Sequence, residues 1–235
     1  MESIFLKLAQ YPIVETERLL LRPVTLDDAE AMFDYASDKD NTRYTFLTNQ
    51  SLEETKNNIA QFYLANPLGR WGIELKSNGK FIGTIDLHKI DPVLKKAAIG
   101  YIINKKYWNQ GLTTEANRAV IELAFEKIGM NKLVALHDKA NPASGKVMEK
   151  SGMRFSHEEA YACMDQHEEG RIVTRVHYVL TRKTILQINK QLRRNFQLFF
   201  LSLTNNLREE KIWKQLSKKS KSIKSLSSVL VWACL

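Results

Sequence analysis

Two stretches of the chain put residues with chemical capacity at informative spacings. The first is Ile103-Asn104-Lys105-Lys106-Tyr107-Trp108-Asn109-Gln110-Gly111-Leu112-Thr113-Thr114-Glu115-Ala116. It reads as an extended run, a turn around one glycine, and an amphipathic helix that starts at once. A helix start leaves backbone N–H groups free and carries the positive end of the helix dipole. That combination suits the oxygens of a pyrophosphate, although many ordinary strand-to-helix turns share the pattern. No Gly-Lys-Ser/Thr follows, so it is not a Walker loop, and one glycine does not make a dinucleotide fingerprint. The second stretch is Asn141-Pro142-Ala143-Ser144-Gly145-Lys146-Val147-Met148, directly after the strand-like run 132–138. Taken singly, Asn141 as N-cap with Pro142 at the first helical position accounts for it as a helix start.

The elements that must position these stretches follow from local patterning. Leu19-Leu20-Leu21, bounded by Arg18 and Arg22-Pro23, reads as a buried strand. Thr25 begins a helix with Leu26, Ala29, Met32, Phe33 and Ala36 at helical spacing and Asp27 and Asp28 in its first turn. Ser51 and Glu54 form a capping-box signature for a second helix, ended by Pro67-Leu68-Gly69. A hairpin follows, with Trp71, Ile73 and Leu75 alternating before Asn78-Gly79, and Phe81, Gly83, Ile85 and Leu87 alternating after it. Asn78-Gly79 is expected to supply the positive φ angles of a tight turn. Residues 97–104 read as a strand and 113–128 as the clearest helix, stopped by Gly129. A strand over 132–138, a short helix over 142–151 and a last strand over 172–180 complete the order β-α-α-β-β-β-α-β-α-β, with room for one more strand near Phe155. The expected class is α/β (α+β): one domain with a central mixed, mostly antiparallel sheet flanked by helices.

Charge separates the end of the chain from the rest. Residues 184–235 hold ten Lys/Arg against Glu209 and Glu210, a net +8, which leaves only +1 for residues 1–183. The tail also lacks Gly, Pro and His and ends in a Lys/Ser mixture. The expected organisation is therefore a domain over 1–183 and a basic C-terminal extension over 184–235, partly helical or disordered. Its opening repeats Ile185, Ile188, Leu192, Phe196, Phe199 and Leu203 at three- and four-residue spacing. A docking helix, a membrane-surface or nucleic-acid arm, and an extension without function are the readings open for it. The composition, 44% hydrophobic and 26% charged, is that of a globular protein, and no apolar run approaches the ~20 residues of a membrane span. Cys163 and Cys234 make neither a disulfide framework nor a zinc spacing, so a reducing cytoplasm is expected, with no metal.

Taken together, in this order, the two stretches resemble the GNAT superfamily of acetyl-CoA-dependent N-acetyltransferases. The closer likeness is to the RimJ/RimL-like branch, which acetylates protein N-terminal amines. It is carried also by Glu15-Thr16-Glu17-Arg18-Leu19-Leu20-Leu21-Arg22-Pro23, Ile99-Gly100-Tyr101, Tyr107-Trp108, Thr114-Glu115-Ala116 and Asn141-x-x-Ser144-x-x-Val147. The likeness spans roughly residues 13–182 and stops there. It implies direct transfer of acetyl from acetyl-CoA to a primary amine of a peptide N-terminus or a small molecule, by a monomer or homodimer. Cofactor contacts are implied for the backbone of Ile103, for Trp108, Asn109, Gln110, Gly111, Leu112 and Thr113 at the pyrophosphate, for Asn141 and Ser144 at the thioester, and for Lys146 at a phosphate.

Catalytic roles are implied for Ser144, as acid toward the leaving thiolate, and for Asn141. Many superfamily members use a Tyr in the last helix as that acid, and here the position is Met148. No base is assigned: Ala97-Ala98 stand where some relatives have Glu, and the position after the last helix falls near Cys163. Asp86 with His88, Glu158 with Glu159, and His137-Asp138 are each better read as surface or structural residues. A CoA-binding module without catalysis is the alternative.

Overall fold

The computed structural model describes residues 3–187 and 190. The chain divides into two units, Met1–Arg182 and Lys183–Leu235. In the second, residues 183–187 are helical; the rest of the expected tail helix and the Lys/Ser stretch lie outside the described residues.

The first unit is built on one eight-stranded sheet. Its strands are β1 (Val14–Glu15), β2 (Leu19–Arg22), β3 (Arg70–Leu75), β4 (Lys80–Asp91), β5 (Lys96–Ile103), β6 (Lys132–Asp138), β7 (Arg154–Met164) and β8 (Ile172–Thr181), in the spatial order β1-β2-β3-β4-β5-β6-β8-β7. The expected class is the one observed: neighbours are antiparallel except β5 and β6, which are parallel. The strand near Phe155 is β7, an edge strand.

Helices α2 (Ala29–Ala36) and α4 (Leu52–Ile59) pack together, and Val24, Met32, Tyr35, Ile59 and Phe81 form a buried cluster between them and the sheet. Ser51 Oγ accepts the Glu54 N–H, the first half of the expected capping box. Glu54 reaches back one residue further than expected, to the Gln50 N–H at 2.6 Å. At α2 a 3₁₀ turn over Leu26–Asp28 comes first, and the Asp28 carboxylate accepts the Thr25 N–H. Helix α5 (Leu112–Glu122) lies against β2 and β5, and α6 (Pro142–Lys150) against β6. The expected helix over 113–128 changes winding: Leu123–Ile128 is π-helical before Gly129 ends it.

Three short elements escaped the sequence pattern, namely α1 (Ile4–Ala9), β1 and α3 (Lys39–Thr42). The hairpin turn also differs. Leu75 pairs with Lys80, so four residues make the loop, and of Asn78 and Gly79 only Gly79 has a positive φ. Gly79 closes it by donating to the Leu75 carbonyl at 2.8 Å.

The feature that matters for function lies where β5 leaves β6. They pair only at Lys96↔Lys132, Ala97↔Leu133 and Ala98↔Val134, while β5 continues to Ile103 and β6 to Asp138. From Ile99 onward one edge of β5 thus faces a split in the sheet. No helix among the described residues is long and apolar enough to cross a membrane.

Candidate active site

The first wall of the split is the end of β5 and the turn into α5. Asn104 N–H donates to Ile82 O on β4, so by strand alternation the backbone of Ile103 faces the other way. The Ile103 carbonyl is already engaged: Trp108 Nε1 donates to it at 2.9 Å and Asn41 Nδ2 at 3.2 Å. Asn41, buried on α3, also accepts the Lys105 N–H at 2.6 Å. The indole of Trp108 therefore braces the loop instead of merely bordering it, and any backbone pairing of a ligand with Ile103 falls to groups other than this carbonyl.

Beyond Trp108 the chain turns through Asn109, with φ 60°, and Gly111, with φ 75°. A left-handed angle at a non-glycine residue is uncommon, and Asn is among the few that adopt it readily. Gly111 is the N-cap of α5, and no side chain caps that helix. Its first N–H groups are thus left for a ligand, with Leu112 buried beneath and Thr113 half-buried beside them. Gln110 is held from both ends, its Nε2 donating to Lys106 O and its carbonyl accepting from Arg18. Arg18 also grips the Glu115 carboxylate at 2.6 Å, and Thr16 Oγ1 donates to the same group. Burial pushes the Glu115 carboxyl upward, but the Thr16 and Arg18 hydrogen bonds outweigh it and hold the group below its ordinary range. The strand β2 entry and the α5 start are thereby locked together.

The second wall is the start of α6. Asn141 is the N-cap, its side-chain oxygen accepting the Ser144 N–H at 3.3 Å, so Nδ2 is the group it can offer a ligand. Gly145 lets α6 settle on β6: a Cβ there would come 2.7 Å from His137 Nε2. Lys146 is exposed on α6. A residue the sequence reading missed bridges the two walls. The Tyr101 hydroxyl, from β5, donates to Ser144 O at 2.9 Å and lies 3.1 Å from Ser144 Oγ. Burial drives the Tyr101 phenol well above its ordinary pKa, with only partial relief from Ser144, so it keeps its proton. Tyr101 stands in one of the motifs of the sequence likeness without a role, and only the fold brings it to α6.

The remaining sequence candidates separate clearly. His137 is buried against α6 with Nδ1 on its neighbour's carbonyl oxygen, Asp138 O, at 2.7 Å. Asp138 binds Arg171, Glu158 binds Lys139 and Glu159 binds His177. Cys163 is an exposed thiol. Asp86 and His88 are joined at 2.7 Å on β4. A further network was invisible to local patterns: Asp165, in the β7–β8 loop, takes Arg43, Arg171 and the backbone N–H groups of His167 and Glu168. Burial raises the Asp165 carboxyl, but these donors hold it far below its ordinary range. The loop is tied in this way to the segment after α3.

A parallel pair that parts after three rungs, an uncapped helix start on one side and an Asn–Ser helix start on the other frame the candidate site. The sequence model of the family described as acetyltransferase (GNAT) domain matches residues 18–154, which hold both walls. The chain belongs to the GNAT acetyltransferase family. Among its relatives, the Bacillus subtilis N-acetyltransferase YoaA, itself uncharacterized, is 35% identical over 148 residues, covering 61% of this chain and 84% of that one. The B. subtilis protein provisionally named ribosomal N-acetyltransferase YdaF is 39% identical over 83 residues, covering 34% of this chain and 45% of that one. A crystal structure of a GNAT-family acetyltransferase from Bacillus anthracis superimposes with a TM-score of 0.66 at 26% identity, covering 73% of this chain and all but 1% of that one. This GNAT domain is thus that of an acyltransferase, in a family whose acetyl donor is acetyl-CoA.

Proposed function

We propose that this GNAT protein transfers acetyl from acetyl-CoA directly to a primary amine in a ternary complex, and that residues 1–183 carry the activity while 184–235 are an extension. The observation that carries the proposal is the β5–β6 split, bounded by the uncapped start of α5 and by Asn141 and Ser144. The residues fit the donor. The N–H groups of Gln110 to Thr113 at the head of α5 suit its pyrophosphate, with Trp108 and Asn109 shaping the turn and Lys146 near enough to α6's start to meet a phosphate. The β5 edge through Ile103 suits its amide-bearing arm, and Asn141 suits the thioester end.

Chemistry at the site is mostly alignment, which contributes ~7–11 kcal/mol in favourable cases. Ser144 Oγ–H supplies a proton to the departing sulfur, turning to it from the Tyr101 hydroxyl oxygen, while Tyr101 O–H stays on the Ser144 carbonyl and fixes the start of α6. For the acceptor we favour a protein N-terminal amine of the RimJ/RimL-like type, in the cytoplasm. The Glu15–Pro23 opening and the name of YdaF support this choice.

The test is thiol release from acetyl-CoA by the full chain, with peptides bearing free N-terminal Ser, Ala or Met and with spermidine. Transfer to the peptides supports the proposal, transfer only to spermidine shifts the acceptor to small amines, and binding without transfer supports a CoA-binding module. Ser144→Ala is expected to lower kcat by about 10²-fold while acetyl-CoA affinity stays nearly constant. Unchanged kcat with saturating substrates removes Ser144 from the reaction.

A further inference from the structure

The reaction needs a proton acceptor for the amine, and the fold brings one to the point where the sheet opens. We infer that His88, oriented by Asp86, is the general base of this site, an inference that rests on the transferase reading above.

His88 and Asp86 sit two residues apart on β4, so their side chains share one face of the sheet. Across the ladder Asp86 pairs with Gly100 and His88 with Ala98. Ala98 is the last residue of β5 that pairs with β6, so this register puts His88 level with the vertex of the split, one strand away from it. The absence of a side chain at Gly100 makes room for it: a Cβ there would come 3.1 Å from His88 Cε1 and 3.2 Å from Asp86 Oδ1. The ring therefore lies over Gly100, one residue beyond the start of the unpaired edge.

The hydrogen bond fixes the tautomer. An ionised carboxylate only accepts, so His88 Nδ1, 2.7 Å from Asp86 Oδ1, carries the proton and Nε2 presents its lone pair. The side chain is 37% exposed and borders an open cleft of about 420 Å³ with Asn66 and Arg70. That cleft, lined by Phe5, residues 65–68, Arg70 and β4, opens the ring to solvent, and the amine is assigned to the opposite side, over Gly100. The groups that face it are Asp86 on β4, Arg70 opposite Asp86 on β3, and Tyr63, whose hydroxyl bonds Thr84 on the same face of β4. Neither Ala98 nor Gly100 on β5 carries a titratable group.

In the step itself an acceptor ammonium gives one proton to His88 Nε2. The free amine then forms the C–N bond as the C–S bond breaks; Ser144 Oγ–H protonates the departing sulfur, and the second amine proton replaces the one Ser144 gives up. His88 returns its proton to solvent through the cleft. Asp86 is a positioning residue, since it acts through the imidazole.

The experiment measures acetyl transfer by the full chain to the Ser, Ala and Met peptides and to spermidine from pH 5.5 to 9, together with calorimetric titration of acetyl-CoA. His88→Gln is expected to lower kcat about 10²-fold without changing acetyl-CoA affinity, and to remove the limb on which kcat falls with acid. Asp86→Asn is expected to lower kcat about tenfold and shift that limb, because the amide no longer enforces the Nδ1–H tautomer. If the wild type transfers and His88→Gln retains its kcat and pH profile, the base is another group and the transferase reading stands. If the wild type binds acetyl-CoA yet acetylates none of these amines, the transferase reading falls and His88 with it.

Discussion

Thr113→Glu is expected to leave the domain at least as stable as the wild type while lowering acetyl-CoA affinity about 100-fold. The two effects have one cause. A carboxylate in the first turn of a helix interacts favourably with the dipole, by ~0.3–1 kcal/mol at an exposed site. Helix α5 has an uncapped start, so the new side chain also gains access to N–H groups that no side chain satisfies. Those are the groups assigned to the pyrophosphate. The carboxylate would occupy them and repel the phosphates, and charges ~4 Å apart near a protein surface interact by up to ~4 kcal/mol. A 100-fold loss corresponds to ~2.7 kcal/mol, well inside that range. Thermal unfolding and calorimetry on the same sample separate the outcomes. Equal affinity in the variant means that the α5 start does not hold the anion.

Gly83→Ala is expected to destabilise the domain by about 3 kcal/mol, which for a unit of this size lowers Tm by about 6–12 °C. Gly83 is on β4 opposite Ile103. An added Cβ would overlap the Ile102 carbonyl oxygen and come 2.8 Å from Ile103 Cα. Both obstacles are backbone, so no rotamer change relieves them, and β4 and β5 must move apart. The strain falls on the last residue of β5, directly before the loop that turns into α5, so acetyl-CoA affinity is expected to fall as well. Gly79→Ala is the control. That position has φ 66° and open space around it, so only the local left-handed strain of ~1 kcal/mol applies. A loss at Gly83 no larger than at Gly79 contradicts the tight β4–β5 approach.

The parts of the fold that could be read from sequence are those whose signals are local. Helix α5 with its π-helical continuation has an apolar stripe between Gly111 and Gly129, α6 has Asn141-Pro142 at its start, and β3 and β4 alternate around Asn78-Gly79. Helix α3 and strand β1 span four and two residues, too short for a period to register. Strand β7 escaped firm assignment because nearly all its side chains are exposed, which erases the alternation a half-buried strand would have. The site divides the same way. The Gly111 turn and Asn141–Ser144 are contiguous motifs, and both could be found. Asn41 at the end of β5, Tyr101 against Ser144, and the Arg43–Asp165 tie across 122 positions depend on tertiary register. Asp86 and His88 lie between these cases. Their i, i+2 spacing was visible, but their place over Gly100 at the mouth of the split was not.

The most direct measurement is a titration of the ¹⁵N-labelled full chain with acetyl-CoA, following backbone amide shifts. The expected result is saturable binding with the largest shifts at Asn109 to Thr114, along the β5 edge from Ile99 to Ile103, and at Asn141 to Ser144. Shifts absent from the α5 start and the β5 edge, or no saturable binding at all, would contradict the assignment of the β5–β6 split as the acetyl-CoA site.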